Sequence, residues 1–157
     1  SNDLIGTQIG GSLKNIYAIA AGISEGLNLG ENAKSALISR SFAEMTRYAK
    51  KFKADKNTLF GLSGLGDLIL TCSSTNSRNT QFGIKLASSK YDNFLDLLKS
   101  QEVTEGYYTV KAVYNISQKK NIDMPIMESV YNILYKQHDL KEELSNLLSR
   151  PITEEKI

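Results

Sequence analysis

Apolar residues recur at three- and four-residue steps along most of the chain, and no stretch shows the alternation of a half-buried strand. The clearest stripe lies in residues 4–27 and contains Leu13, Ile16 and Ile23. Further helices are predicted at residues 31–51, 77–87, 93–99, 107–119 and 125–135, with a last helix near the end of the chain, and Asp55 is predicted to cap a short turn through Leu59. We therefore expect an all-α fold, a single compact multi-helix domain over residues 3–157, with residues 1–2 compatible with an expression-tag remnant.

Short polar side chains mark where several helices begin, because they accept hydrogen bonds from the first free backbone N–H groups. The predicted N-caps are Ser63, Ser77, Asp92 and Asp139. Residues 103–106 are predicted to be a short connector between helices. On the second helix, Arg40 and Glu44 are four residues apart, and we expect them to pair on its exposed polar face.

Length and charge restrict the class of protein. The 157 residues are enough for one domain with a substantial core. A formal charge of +2 is too small to favour nucleic acid or an acidic membrane as the main partner. The single cysteine, Cys72, excludes an internal disulfide, and with the single histidine, His138, it cannot form a zinc site of the usual kind. We expect a cytoplasmic protein without a metal or membrane insertion, in which Cys72 is packed and His138 lies exposed at a helix end.

The most unusual stretch is residues 61–79, which changes from glycine-rich to apolar to wholly polar. Asp67 lies within Leu-Gly-Asp-Leu-Ile-Leu, where a desolvated carboxylate needs a partner. Thr71 follows four residues later, so a short helix would place both on one face. Ser77, Arg78 and Asn79 then combine a helix start, a guanidinium and an amide, which is typical of an anion site. The alternative is an ordinary helix start with a solvated arginine.

Lys14 lies among residues with very small side chains. The stripe around it consists of Thr7, Gly10, Gly11, Ala18, Ala21 and Gly22. Glycine costs a helix roughly 1 kcal/mol relative to alanine, so close approach of another helix or of a ligand is expected here. Lys14 either extends to water or has a functional role. The polar Asn15 beside it favours the second alternative.

Four stretches together resemble one family. Residues 11–22 resemble the Leu-Lys-Asn helix of NAD(P)-dependent glycerol-3-phosphate dehydrogenases, and residues 61–79 resemble the Gly-Leu-Gly-Asp-Leu…Ser-Arg-Asn segment of the same family. Residues 103–106 and 124–126 match its weaker motifs, so the resemblance covers essentially the whole chain. It implies the helical C-terminal half of these enzymes, a 6-phosphogluconate-dehydrogenase-like C-terminal fold. No Gly-x-Gly-x-x-Gly follows a strand pattern, so we expect the N-terminal Rossmann domain to be absent from this chain.

The resemblance also implies an activity and a site. The activity is interconversion of dihydroxyacetone phosphate and sn-glycerol 3-phosphate by hydride transfer with NAD or NADP, feeding glycerophospholipid synthesis. Lys14 matches the catalytic lysine. The substrate-binding positions are Lys14, Asn15, Asp67, Thr71, Ser77, Arg78 and Asn79, and the cofactor-binding positions are Arg78, Val103 and Glu105. The missing Rossmann domain would bind most of the cofactor, the domain alone would be inactive, and the whole protein would be a homodimer.

Two other classes of function stay open. One is a non-catalytic helical module that uses its surface for dimerisation or for binding a partner. The other is the helical domain of a dehydrogenase acting on a different 2-hydroxy acid or sugar acid, which also carries a lysine on a helix. Ser77, Arg78 and Asn79 disfavour this last class, because they suit a substrate that bears a phosphate.

Overall fold

The computed structural model describes residues 2–88, 94–99 and 103–151, and the part it describes is built from helices joined by short turns. The helices are α1 (Leu4–Gly26), α2 (Glu31–Lys51), α3 (Lys56–Phe60), α4 (Asp67–Ser73), α5 (Arg78–Ala87), α6 (Phe94–Lys99), α7 (Glu105–Lys120), α8 (Pro125–Lys136) and α9 (Leu140–Ser149). A π-helical turn, Leu62–Gly66, leads directly into α4. No strand occurs in these residues, so the all-α prediction is confirmed.

Helix α1 is the centre of the fold. Leu13, Ile16, Tyr17 and Ile19 are fully buried, and α2, α4, α5, α7 and α8 all contact this helix. The helix begins where predicted, because the Asp3 side chain accepts a hydrogen bond from the N–H of Gly6 over 2.9 Å. A long, largely apolar helix of this kind is stable only when other helices cover it on several sides.

Glycines allow α1 and α5 to pack backbone against backbone. A Cβ atom added at Gly22 would collide with the carbonyl oxygen of Thr80, and one added at Gly83 would collide with that of Ile19. The predicted close approach along the small-residue stripe of α1 is therefore present at Gly22. Gly11 differs, because a Cβ there would meet nothing within 4 Å.

The predicted boundaries agree with the structure for most helices. Ser77 and Asp139 cap α5 and α9 as predicted, since their side chains accept hydrogen bonds from Thr80 N and Glu142 N. The predicted cap at Asp92 lies outside the described residues. Of the predicted connector at residues 103–106, only the first two residues precede a helix, because α7 already begins at Glu105.

The predicted cap at Ser63 is wrong. Ser63 lies inside the π-helical turn, and Gly66 occupies the cap position of α4 without a side-chain hydrogen bond. The N–H of Asp67 instead bonds to the carbonyl oxygens of Leu62 and Gly64. The carbonyl oxygens of the preceding turn therefore accept the hydrogen bond from the first backbone N–H of α4, and no serine cap is needed.

The predicted surface pair of Arg40 and Glu44 is also wrong. Glu44 is only 1% exposed, and its carboxyl group accepts hydrogen bonds from the backbone N–H groups of Ile126 (2.5 Å) and Met127 (3.2 Å) and from the Tyr17 hydroxyl (3.3 Å). Glu44 thus caps α8 from another helix. Burial raises its pKa to about 8, although the two backbone hydrogen bonds act in the opposite direction.

Cys72 and His138 lie where the sequence predicted. Cys72 is buried, and burial raises the pKa of its thiol to about 12, which makes it a packing residue and not a nucleophile. The His138 ring is half exposed just before the Asp139 cap, and its Nδ1 lies 2.7 Å from a carboxylate oxygen of Glu143. Within the described ranges, no helix is both long enough and apolar enough to cross a membrane.

Candidate functional site

Lys14 and Asp67 form the first half of the candidate site. The Lys14 ammonium on α1 donates a hydrogen bond to Asp67 Oδ2 at the start of α4 over 2.6 Å. Both side chains keep access to solvent, with 24% and 37% of their surface exposed. An ammonium has three N–H donors, so Lys14 keeps donors for a ligand while Asp67 holds it in place.

Local backbone geometry explains why Asp67 reaches Lys14. Gly10, one helical turn before Lys14, lies so close to the carbonyl oxygen of Ser63 that a Cβ atom there would collide with it. Gly64 packs in the same way against the backbone of Leu59. The π-helical turn is therefore pressed against α1, and α4 starts beside the lysine. Such single π turns are frequent at functional sites.

Thr71 lies on α4 one turn after Asp67, on the face predicted from its spacing. Its side chain is half-buried, and its carbonyl oxygen accepts a 3.0 Å hydrogen bond from the Thr80 hydroxyl. This bond joins the end of α4 to the first turn of α5. Ser77 uses its own hydroxyl as the cap of α5, where it accepts a 3.3 Å bond from Thr80 N.

Glu105, the first residue of α7, links the side chains of the second half of the site. Its Oε1 accepts a 3.2 Å hydrogen bond from Arg78 on α5, and its Oε2 accepts a 3.4 Å bond from the Asn15 amide on α1. Arg78 and Glu105 are 78% and 67% exposed, so this pair contributes little to stability and is open to a ligand.

Asn79 and Gly106 fix the position of Glu105. The Asn79 side chain is buried, and its Oδ1 accepts a 3.0 Å hydrogen bond from the N–H of Gly106. Gly106 lies against the Asn15 carbonyl oxygen, so closely that a Cβ atom would come within 2.7 Å of it. The amide oxygen of Asn79 is thus used within the protein, and this side chain positions the first turn of α7.

These contacts form two groups, Lys14–Asp67 and Asn15–Glu105–Arg78, that start from adjacent residues of α1, and we call the five side chains together the polar row. The structure therefore brings together predicted residues from four helices that are far apart in sequence. Val103 is half-buried two residues before α7. The sequence analysis did not identify Gly106 or Thr80 as functional positions. The signals for Gly106 were its place in the weak family motif at residues 103–106 and its position directly after a charged residue at the start of a helix.

The described residues contain no group of three or more histidine, cysteine, aspartate or glutamate side chains able to hold a metal ion. Near Val103, however, the Thr104 hydroxyl oxygen is buried and has no hydrogen-bond partner within the described part of the chain. A buried polar atom of this kind is available to a bound group.

Solved structures with the same fold define the class of protein. The chain superposes with a TM-score of 0.89 on glycerol-3-phosphate dehydrogenase from Coxiella burnetii, with 41% identity. The match covers 96% of this chain and 46% of the Coxiella burnetii chain. The yeast enzyme from Saccharomyces cerevisiae gives a TM-score of 0.82 at 28% identity, covering 94% and 43% of the two chains. The fold is that of a helical domain of these dehydrogenases.

The family follows from sequence. The profile described as NAD-dependent glycerol-3-phosphate dehydrogenase C-terminus matches residues 3–145. Glycerol-3-phosphate dehydrogenase [NAD(P)+] from Staphylococcus carnosus is 45% identical over 151 residues, and that from Staphylococcus haemolyticus is 43% identical, each match covering 96% of this chain and 45% of the relative. The chain belongs to the NAD-dependent glycerol-3-phosphate dehydrogenase C-terminal family, and it spans about half the length of the curated relatives it matches.

Proposed function

We propose that this chain supplies the substrate-binding and catalytic groups of a glycerol-3-phosphate dehydrogenase, which interconverts dihydroxyacetone phosphate and sn-glycerol 3-phosphate with NAD(P)(H). The observation that carries the proposal is the polar row. On adjacent residues of α1, an ammonium is held by a carboxylate and an amide is linked through Glu105 to a guanidinium at a helix start. Those are the groups required by a small molecule with a reacting carbonyl at one end and a phosphate at the other.

Lys14 is the proposed catalytic residue. In the direction of ketone reduction, the carbonyl oxygen gains negative charge, and the Lys14 ammonium donates a hydrogen bond and then a proton to it. In the reverse direction, the neutral amine accepts the hydroxyl proton. Asp67, 2.6 Å from the ammonium, orients it, and Thr71 on the same face of α4 supports the substrate hydroxyls.

The phosphate end is assigned to the start of α5. The Ser77 hydroxyl caps this helix at Thr80 N, and the N–H groups of Arg78 and Asn79 would form an anion site together with the Arg78 guanidinium. Arg78 uses one N–H on Glu105 and keeps others for a ligand. Asn79 belongs to this site as a positioning residue, and Asn15 lies between the two ends.

The residues beside α7 fit a nicotinamide cofactor. Arg78 and Glu105 are largely exposed, and the buried Thr104 hydroxyl, next to Val103 and Glu105 in sequence, has no hydrogen-bond partner among the described residues. Arg78, Val103 and Glu105 would contact the cofactor from this side, and the bound cofactor supplies the hydride. The proposal includes a nucleotide-binding domain as partner, a homodimer, and a cytoplasmic location, all on the basis of the family resemblance.

The test joins this chain, in one polypeptide, to the part of the Staphylococcus carnosus relative that the chain does not cover. We expect NAD(P)H-dependent reduction of dihydroxyacetone phosphate, and in Lys14→Met a loss of kcat/KM of about 10³-fold, within the usual range for a proton-transfer group. The chain alone should show no turnover.

Lys34→Met is the matched control. Lys34 on α2 also forms an ion pair, with Glu25 at 3.2 Å, but it lies outside the polar row. It should keep kcat/KM within about threefold. Full activity in Lys14→Met removes Lys14 from the mechanism. An inactive joined protein that folds, and in which the chain binds no glycerol 3-phosphate, favours a non-catalytic binding module.

A further inference from the structure

A cavity of about 320 Å³ lies between α2, α8 and α9, and it shares no residue with the polar row. Its apolar wall is formed by Leu37, Pro125, Ile126, Leu144, Leu147 and Leu148. The volume is at the lower end of the range for small-molecule sites, roughly 300–1,000 Å³, so the cavity suits a short apolar group.

Three arginines also line this cavity, namely Arg40, Arg47 and Arg150. Two of them have a defined orientation, because Arg40 Nη1 donates to the Leu147 carbonyl and Arg47 Nε donates to the Asp123 carbonyl, each over 2.8 Å. A guanidinium has five N–H donors, so both keep most of theirs. Across residues 2–88, 94–99 and 103–151, none of the three forms an ion pair.

The two acids lining the cavity offset only part of this positive charge, although the charge of Arg47 acts to lower the pKa of Glu44. Glu44 directs its carboxyl group to the first turn of α8, and burial raises its pKa to about 8, so it is mostly neutral at pH 7. Asp123 is the other acid in the lining. Three arginines therefore face two acids in the lining, and the excess of basic groups complements a phosphate monoester, whose charge is about −1.5 to −2 at pH 7.

We propose that this cavity is a second anion site that binds a phosphate monoester carrying a short aliphatic chain. The phosphate lies against Arg40 and Arg47, whose planar donor groups match its oxygens. The aliphatic chain lies against the leucine wall formed by α2 and α9. A sugar phosphate fits less well, because its hydroxyl groups would have to lose water against Leu144 and Leu147.

The test is calorimetric titration of the chain with octyl phosphate. Arg47→Gln and Leu148→Glu are the test variants, because both side chains are exposed at the rim and their replacement leaves the core intact. Each should weaken binding at least tenfold, whereas Arg47→Lys, which keeps the charge but loses the planar donor group, should weaken it less than Arg47→Gln does. The control is Lys34→Met, outside both the cavity and the polar row, which should bind octyl phosphate as tightly as the unmodified chain. Arg78→Gln is measured alongside to report any binding at the polar row instead. Circular dichroism checks that every variant is folded.

Two further ligands separate the contribution of the phosphate group from that of the alkyl chain. Inorganic phosphate, which lacks the chain, and octanoate, which carries a single negative charge, should each bind at least tenfold more weakly than octyl phosphate. Equal affinity for either ligand, unchanged binding in both Arg47→Gln and Leu148→Glu, or a loss confined to Arg78→Gln would overturn the proposal. None of these measurements depends on the proposed dehydrogenase activity.

Discussion

The buried carboxyl group of Glu44 makes the stability of the fold depend on pH. In the native state burial raises its pKa from 4.5 to about 8, while in the unfolded chain the group titrates normally. Between these values the native state holds a proton that the unfolded chain has released. The contribution of Glu44 is therefore fully present below about pH 4.5 and is lost as the pH rises through about 8.

The size of the effect follows from the same two values. Each pH unit between them costs about 1.4 kcal/mol, so the complete loss is about 5 kcal/mol, of which about 4 kcal/mol falls between pH 5 and pH 9. This is a large fraction of the stability of a typical domain, about 5–15 kcal/mol. Glu44→Gln carries no ionisable group at this position, and its carbonyl oxygen still accepts from Ile126 or Met127.

Urea denaturation at several pH values between 5 and 9 measures the effect. We expect the free energy of unfolding of the unmodified chain to fall relative to that of Glu44→Gln by about 4 kcal/mol across this range. Ionisable groups that the two proteins share cancel in the difference. A difference that stays constant with pH would show that Glu44 is ionised throughout, and that its hydrogen bonds to α8 outweigh the cost of burial.

Two further predictions concern packing and positioning. Gly83→Ala places a Cβ atom against the backbone of α1 and should destabilise the chain by about 2–3 kcal/mol. Gly11→Ala has open space around the new atom and should stabilise the chain by about 1 kcal/mol. Thermal unfolding measures both variants, and equal effects would contradict the backbone-to-backbone packing of α1 and α5. Asn79→Ala removes the acceptor of the Gly106 N–H and should destabilise the chain by about 1–2 kcal/mol. Hydrogen exchange at the Gly106 amide should become at least tenfold faster relative to exchange at Val110. Unchanged exchange at Gly106 would show that Asn79 does not hold α7 in place.

Local sequence signals were sufficient for most of the helices. Apolar stripes and caps such as Ser77 and Asp139 act within a few residues, and they predicted where α5 and α9 begin. The partner that Asp67 was expected to need is Lys14, and the predicted close approach along α1 occurs at Gly10 and Gly22.

Long-range contacts explain what the sequence did not predict. Glu44 looked like a surface residue because its partners, Ile126 and Met127, lie about 80 positions further along the chain. The role of Glu105 as a bridge between Asn15 and Arg78 likewise depends on three helices meeting. Spacing within one helix carries no information about such contacts, so the chemistry of the candidate site was easier to predict than its geometry.

The central claim is that the two ends of the polar row bind one phosphorylated molecule, and an NMR titration of this chain with sn-glycerol 3-phosphate tests it most directly. The amides of Lys14 and Asn15 and those of Arg78 to Thr80 should shift together, with one dissociation constant in the millimolar range, and the shifts should disappear in Arg78→Gln. Shifts at only one end, different dissociation constants for the two ends, or no shift near Ser77 at high ligand concentration would contradict the account.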